Sequence, residues 1–376
     1  MADTVATDLS FPVAATDKLA EIIWATDAHV QTQRENFFNL AGMMAKDRGK
    51  EEVFKRRPGV PIIIKDEFKK MPGDRIRIRM RKQLTRVQSN SGSATSAYTY
   101  GATNMMGNEE ALVFHDLEVK LGLLKNAVGF NSPDWYLHRV SIDMEQDAQD
   151  ALREWLVENH EESIVDSFYE KFPYFIQSSL SATAVTHPKV YYANGRAAAN
   201  DMSATDILSE SEIRRIRTYC VHKRLNPIRA DGKNVFLVLS DPFVLADLMG
   251  DANFRAVVSQ AQDRGSENPL VKGAQFGHLG LFFWEYDRVR LTSSGANSGQ
   301  ISQLMVLGAD AIAVGYGSEP RLVPRIETAY GDRWGLAIRQ IFGAVRCDWL
   351  NQAETSTIQQ SSAQWNVWEQ GNEFSG

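Results

Sequence analysis

Cysteine is nearly absent from this chain. Cys220 and Cys347 are its two thiols, and they lie far apart in the sequence. Two thiols cannot build a disulfide framework or a thiolate-rich zinc site, a usage that fits a reducing compartment. No apolar run approaches the ~20 residues that a membrane-spanning helix needs. The first residues (Ala2-Asp3-Thr4) are polar and acidic. They lack the charged head and apolar stretch of a secretory leader.

Recognisable chemistry is absent too. The histidines at 29, 115, 138, 160, 187, 222 and 278 show no helical ligand spacing, so there is no His-Glu-x-x-His site. Cys220-x-His222 is too sparse for a four-ligand zinc centre. Gly49-Lys50 and Gly232-Lys233 are not followed by the Ser or Thr of a phosphate loop. Gly315-Tyr316-Gly317 has Pro320 where a dinucleotide fingerprint places its third glycine. Ser298 is not in a nucleophile-elbow spacing. Glu109-Glu110 and Glu161-Glu162 are adjacent pairs, whose side chains point apart on a helix or strand. No catalytic, cofactor-binding or metal-binding residue emerges, and no enzyme is expected.

Charge is present, and it is segregated. Residues 46–86 hold 15 basic and 6 acidic side chains, whereas residues 143–171 hold 10 acidic and 2 basic ones. Such asymmetry suggests an electrostatic partner, and a second copy of the chain qualifies. Within the basic stretch, Arg75-Ile76-Arg77-Ile78-Arg79-Met80-Arg81 alternates perfectly. On a strand, Arg75, Arg77, Arg79 and Arg81 share one face and Ile76, Ile78 and Met80 the other. A long uncharged loop, Gln88–Gly107, follows, and a returning strand is expected over roughly 111–124. Loops of this length are usually functional or disordered.

Elsewhere, Thr16 or Asp17 can cap a helix reaching about Leu40, before Gly42. Ser132-Pro133-Asp134 starts a long amphipathic helix with Asp143, Asp147, Asp150, Glu154 and Glu158 on its outer face. A turn is expected at Asn194-Gly195. A Ser209/Glu212 capping box opens a helix through Ile213, Ile216 and Tyr219. Val235–Leu239 reads as a strand and Ser240-Asp241-Pro242 as another helix start. Further on, 279–291 reads as an aromatic-rich strand, 301–314 as an apolar helix and 334–350 as a long final strand. The segment after Asn351 reads as a polar tail, with Trp365 and Trp368 as anchors on a neighbouring copy or a satellite cluster on the same one.

These segments together resemble a tailed-phage major capsid protein of the Hong Kong 97 fold, closest to the N-four-like podovirus family. The resemblance rests on Gly107-Asn108-Glu109-Glu110, Asn268-Pro269-Leu270 with Gly273-Ala274, Leu307-Gly308-Ala309-Asp310-Ala311, Glu327 with Tyr330-Gly331, and the strand from Gly335 to Leu350. It implies an α+β fold without cofactors. Residues 1–72 would be an N-terminal arm, 73–125 an extended hairpin loop, 126–199 a peripheral domain with a spine helix, and 200–330 an axial domain. Residues 331–350 would be the peripheral return strand and 351–376 a C-terminal tail. The implied partners are the chain itself in pentamers and hexamers, scaffold, portal and decoration proteins, and packaged double-stranded DNA held without sequence specificity. No membrane partner is implied. The expected location is the virion, with the host cytoplasm during assembly, and maturation by a hinge motion is expected. The arginine face (Arg75, Arg77, Arg79, Arg81) is expected to meet the acidic helix face of a neighbour. The loop holds no lysine between Gln83 and Val119, so the Lys–Asn bond that some relatives form from it is unavailable. Two other functions remain open from the residues: nucleic-acid binding through segment 46–86, and a cellular encapsulin-type nanocompartment shell.

Overall fold

The computed structural model describes residues 36–46, 59–65, 75–81, 114–131, 144–169, 187, 189–230, 233–261, 275–324, 333–350, 357–359 and 361–369. The elements begin with helix α1 (Phe37–Leu40) and strands β1 (Met44–Lys46), β2 (Ile62–Lys65), β3 (Arg75–Arg81), β4 (Phe114–Lys120) and β5 (Gly122–Asn131). The long helix α2 (Met144–Tyr169) follows, then β6 (Val190–Tyr192), α3 (Glu210–His222), β7 (Ile228–Ala230) and β8 (Lys233–Ser240). Next come α4 (Pro242–Gly250), α5 (Ala252–Ala261), β9 (Gln275–His278), β10 (Leu281–Glu285), β11 (Leu291–Thr292), β12 (Ile301–Leu307) and β13 (Ile312–Tyr316). The last are β14 (Arg321–Pro324), β15 (Arg333–Arg346), β16 (Asp348–Leu350), β17 (Thr357–Gln359) and β18 (Ser362–Trp368).

Three sheets result. The first runs β1-β2-β13-β15-β14, with β5 on the other side of β15; the second runs β6-β18-β12-β8-β10-β9, and the third β17-β16-β4-β3. The first and third are joined by strands that run on from one into the other, β4 into β5 and β15 into β16. Leu350 still pairs with Asp116 beyond the β5–β15 ladder.

Strand β8 explains why so much of the sequence is apolar without a period. Phe236 and Val238 pack with Ile213, Ile216, Val244 and Leu248 of the helices on one side. Leu237 and Leu239 pack on the other side with Ile62, Ile312, Val314 and Phe342 of the first sheet, and with Ile164 and Phe168 of α2. A strand buried on both faces shows a continuous apolar run. The same cause overturns the helix expected over 301–314. That segment is β12, a tight turn and β13, and periodicity alone cannot separate a doubly buried strand from a buried helix. The turn depends on Gly308, where a Cβ would lie 2.2 Å from the carbonyl oxygen of Asn226.

The segment expected as a tail is corrected as well. β18 lies inside the second sheet between β6 and β12. Trp365 and Val367 are buried in the core beneath α3, so Trp365 is a core residue of its own chain. The Ser209/Glu212 capping box does not form. Ser209 makes no capping bond, Asp251 accepts from the Glu210 N–H at 3.0 Å, and Glu212 accepts from Asn194 N–H at 3.0 Å and Arg215 at 2.7 Å. The turn at Asn194-Gly195 is present, both residues having positive φ. Asp241 caps α4 as expected, with Pro242 at its first position. The helical stretch beyond it splits into α4 and α5, and the expected 279–291 strand is shorter, as β10 and β11. The part before Asn36 of the helix expected to reach Leu40, and the expected start of the acidic helix at Ser132-Pro133-Asp134, lie outside the described residues.

The C-terminal end of α2 is held by Arg346, which is fully buried. Its guanidinium donates to Asp348 Oδ2 at 2.9 and 2.7 Å and to the carbonyls of Phe168 and Tyr169. Last-turn carbonyls have no partner within a helix, and a cation there also meets the negative end of the helix dipole. Arg346→Ala leaves Asp348 charged and buried and two carbonyls unmet. A loss of about 3–5 kcal/mol is expected, read by denaturant unfolding of the subunit. Arg346→Met with Asp348→Leu should recover part of it.

His187 stands beside this lock, bonded to Ser362 Oγ at 3.0 Å and packed on the Phe168 ring. Burial, then the nearby Arg346 charge, pushes its pKa down from 6.5 to about 2. Between those values the unfolded chain holds the extra proton, so this group costs stability as pH falls below about 6.5. Glu369, raised to about 7 first by burial and then by Asp241 and Asp247, acts oppositely between about 4.5 and 7. His187→Gln should therefore lose less stability than wild type between pH 6.5 and pH 4, measured by urea unfolding. Equal losses would remove His187 from the account.

Candidate assembly interface

Helix α2 divides cleanly. Ala148, Leu152 and Leu156 are buried, the two leucines packing on Leu124, Leu336 and Ile338 of the first sheet. Asp147, Asp150, Glu154 and Glu158 are all exposed, spaced by three or four residues along one stripe. Two of them have neighbours in the chain: Asp150 pairs with Arg153 at 3.0 Å, and Glu158 approaches Arg288 at 3.5 Å. Asp143 lies outside the described residues. Farther along, burial raises the pKa of Glu161, whose carboxylate accepts from the Phe37 N–H and so ties α1 to α2.

The arginine segment forms β3 as expected, the last strand of the third sheet among the described residues. Its register supplies something the sequence reading missed. Arg77 lies opposite Glu118 and Arg79 opposite Asp116, whereas Arg75 lies opposite Lys120 and Arg81 opposite Phe114. Cross-strand opposite charges are favourable and like charges are not. Two of the four arginine positions are thus in register with acidic positions of β4, and Arg75 with a lysine position. Continuing the alternation through Asp116-Leu117-Glu118-Val119 would have revealed those two acids. On the other face of β4, His115, Leu117 and Val119 are buried, in register with Met80, Ile78 and Ile76. An edge strand offers unpaired backbone groups to a further chain.

Polar clusters elsewhere fasten the fold. Asp206 accepts from Asn194, Arg196 and Ser203, and these bonds outweigh its burial to hold its pKa low. Cys220 is buried, which lifts its thiol to about 12, far from a reactive thiolate. Among the described residues no group of three or more His, Cys, Asp or Glu side chains could hold a metal ion. No helix among them is long and apolar enough to cross a membrane.

The sequence profile of the phage capsid protein family matches residues 25–362. The chain belongs to the phage capsid protein family. A curated relative, the major capsid protein of Pseudomonas phage KPP25, is 25% identical over 278 residues, covering 65% of this chain and 73% of the relative. Among solved structures, the capsid of Ralstonia phage GP4 aligns with a TM-score of 0.63 at 18% identity, over 85% of this chain and 89% of that one. The cyanophage Pam1 capsid aligns with a TM-score of 0.66 at 16% identity, over 86% and 95%. The fold of this capsid family member is thus the α+β Hong Kong 97-type fold that the resemblance implied. Its role is structural, as a phage major capsid protein located in the virion. This is not an enzyme family.

Proposed function

We propose that this capsid protein assembles as pentamers and hexamers into an icosahedral head around double-stranded DNA, with the basic edge strand of one copy against the acidic helix of another. It is assigned to the N-four-like podovirus branch of the family. The arm is residues 1–72 and the extended loop 73–125. The peripheral domain is 126–199 with 331–350 and the axial domain is 200–330, although β6 and β18 pair in the axial sheet and β13 and β14 pair with β15 in the peripheral one. Assembly takes place in the host cytoplasm, with scaffold, portal and decoration proteins as further partners. DNA fills the lumen without sequence-specific contacts.

The observation that carries this reading is the exposed acidic stripe on α2 together with a basic strand left at a sheet edge. Exposed ion pairs contribute little singly. Between surfaces they set register and partner choice. Arg75 and Arg81 are the sharper probes, since neither lies across from an acid. Arg75→Glu with Arg81→Glu should reduce shells seen by electron microscopy at least tenfold while subunit melting stays unchanged. Normal shells from that variant would remove the contact.

The loop's missing lysine also makes its grip non-covalent. Mature particles boiled in detergent should run as monomers on a gel. A ladder of covalent multimers would contradict this.

A further inference from the structure

The face of the first sheet turned away from α2 carries a row of positive charge. Register places Lys125 of β5 opposite Arg339 of β15, and Arg339 opposite Arg321 of β14. Directly opposed residues share a face, their Cβ atoms about 4.5–5.5 Å apart. All three are exposed. Among the described residues, no carboxylate pairs with any of them. Their strand neighbours Leu124, Leu322 and Ile338 are buried with Leu152 and Leu156 of α2, so the row faces the other way. Like charges set opposite one another destabilise a ladder, and no described carboxylate offsets that cost. On one side of the row, Leu123 and Ile341 pair and are both exposed, and on the other Ala127, Ala337 and Val323 are in register. The cationic line runs between apolar residues, which suits an extended acidic segment.

We propose that this face receives the carboxylates of a second copy of the chain, its occupant being Glu109-Glu110 at the return of the loop. The proposal rests on the assembly reading and names one of its contacts. Between Gln88 and Val113 the only charged residues are Glu109 and Glu110, so the loop has one charged point to anchor, of the sign the row requires. The strand path favours another molecule's loop over the chain's own. β4 runs on into β5 with only Leu121 between them, and both follow the β15–β16 path. At ~3.3 Å per residue, a straight path would set Phe114 about 36 Å from Lys125. The four residues back to Glu110 span at most about 14 Å. Along such a path the chain's own loop falls short of the row, and a second copy's loop is the occupant that fits.

The test uses the full chain and three variants: Lys125→Glu with Arg321→Glu and Arg339→Glu, Glu109→Lys with Glu110→Lys, and all five together. Shell yield is read by sedimentation and electron microscopy, and subunit folding by thermal melting. Each charge reversal should cut shell yield at least tenfold with melting unchanged, and the five-fold variant should recover most of it. If the triple variant does not fold, Arg339→Gln alone should still lower yield severalfold and steepen its loss with salt. Wild-type yield from the row variant overturns the proposal while leaving the shell reading intact. So does a combined variant no better than its parents, or a row variant that loses only retention of duplex DNA. So too does a lower melting point of the isolated subunit in the loop variant, which would place the contact within one chain. Absence of shells from the wild-type chain would overturn the assembly reading itself.

Discussion

The buried pair of Arg346 and Asp348 fixes how the halves of this molecule sit together. Arg346 ends β15, Asp348 begins β16, and the carbonyls that the guanidinium meets end α2. One side chain thus sets where the long helix stops against the long strand. Burying an ion pair gains little over an apolar pair of the same size, but breaking one is costly. Its effect is therefore on register more than on total stability. Arginine suits the place because its rigid planar fork meets carboxylate and carbonyl acceptors together, which a lysine cannot. The neighbouring His187 joins the same corner to β18 through Ser362, so the C-terminal strand is tied to the helix end as well.

Much of this was legible in the sequence wherever a pattern was local. The alternation of Arg75–Arg81, the capped start at Asp241-Pro242, and the apolar strand Val235–Leu239 each follow from spacing within one element. What stayed hidden depended on burial from two sides or on distant partners. β12 and β13 read as a helix because both of their faces are covered. β18 read as a tail because Ser362, Gln364 and Asn366 alternate with its apolar residues, yet all three are buried in this sheet. Asp251, forty residues downstream in the chain, caps α3 in place of Ser209. Arg346 drew no reading of its own within the expected 334–350 strand, since nothing local says that a helix terminates on it. Within the expected contact surface, the acidic stripe was readable from helical spacing. The two acids across from Arg77 and Arg79 required the hairpin register.

Charge is what this fold leaves unfinished. Most apolar residues of the described part close into cores within one chain. Helix α2 shows acids on one side of the first sheet, and the opposite side of that sheet shows Lys125, Arg339 and Arg321. Such complementarity governs orientation and discrimination between partners more than affinity, and it weakens with salt. A shell held this way relies on many modest contacts, which fits a loop with no lysine for a covalent bond.

The most direct measurement of that account is the shell yield, by sedimentation velocity, of a chain with the two charged surfaces exchanged. Arg75 and Arg81 become Glu while Asp147 and Glu154 become Lys. The account predicts that the exchanged chain assembles where either half-exchange does not. An exchanged chain that folds normally yet assembles no better than the half-exchanged ones would contradict it.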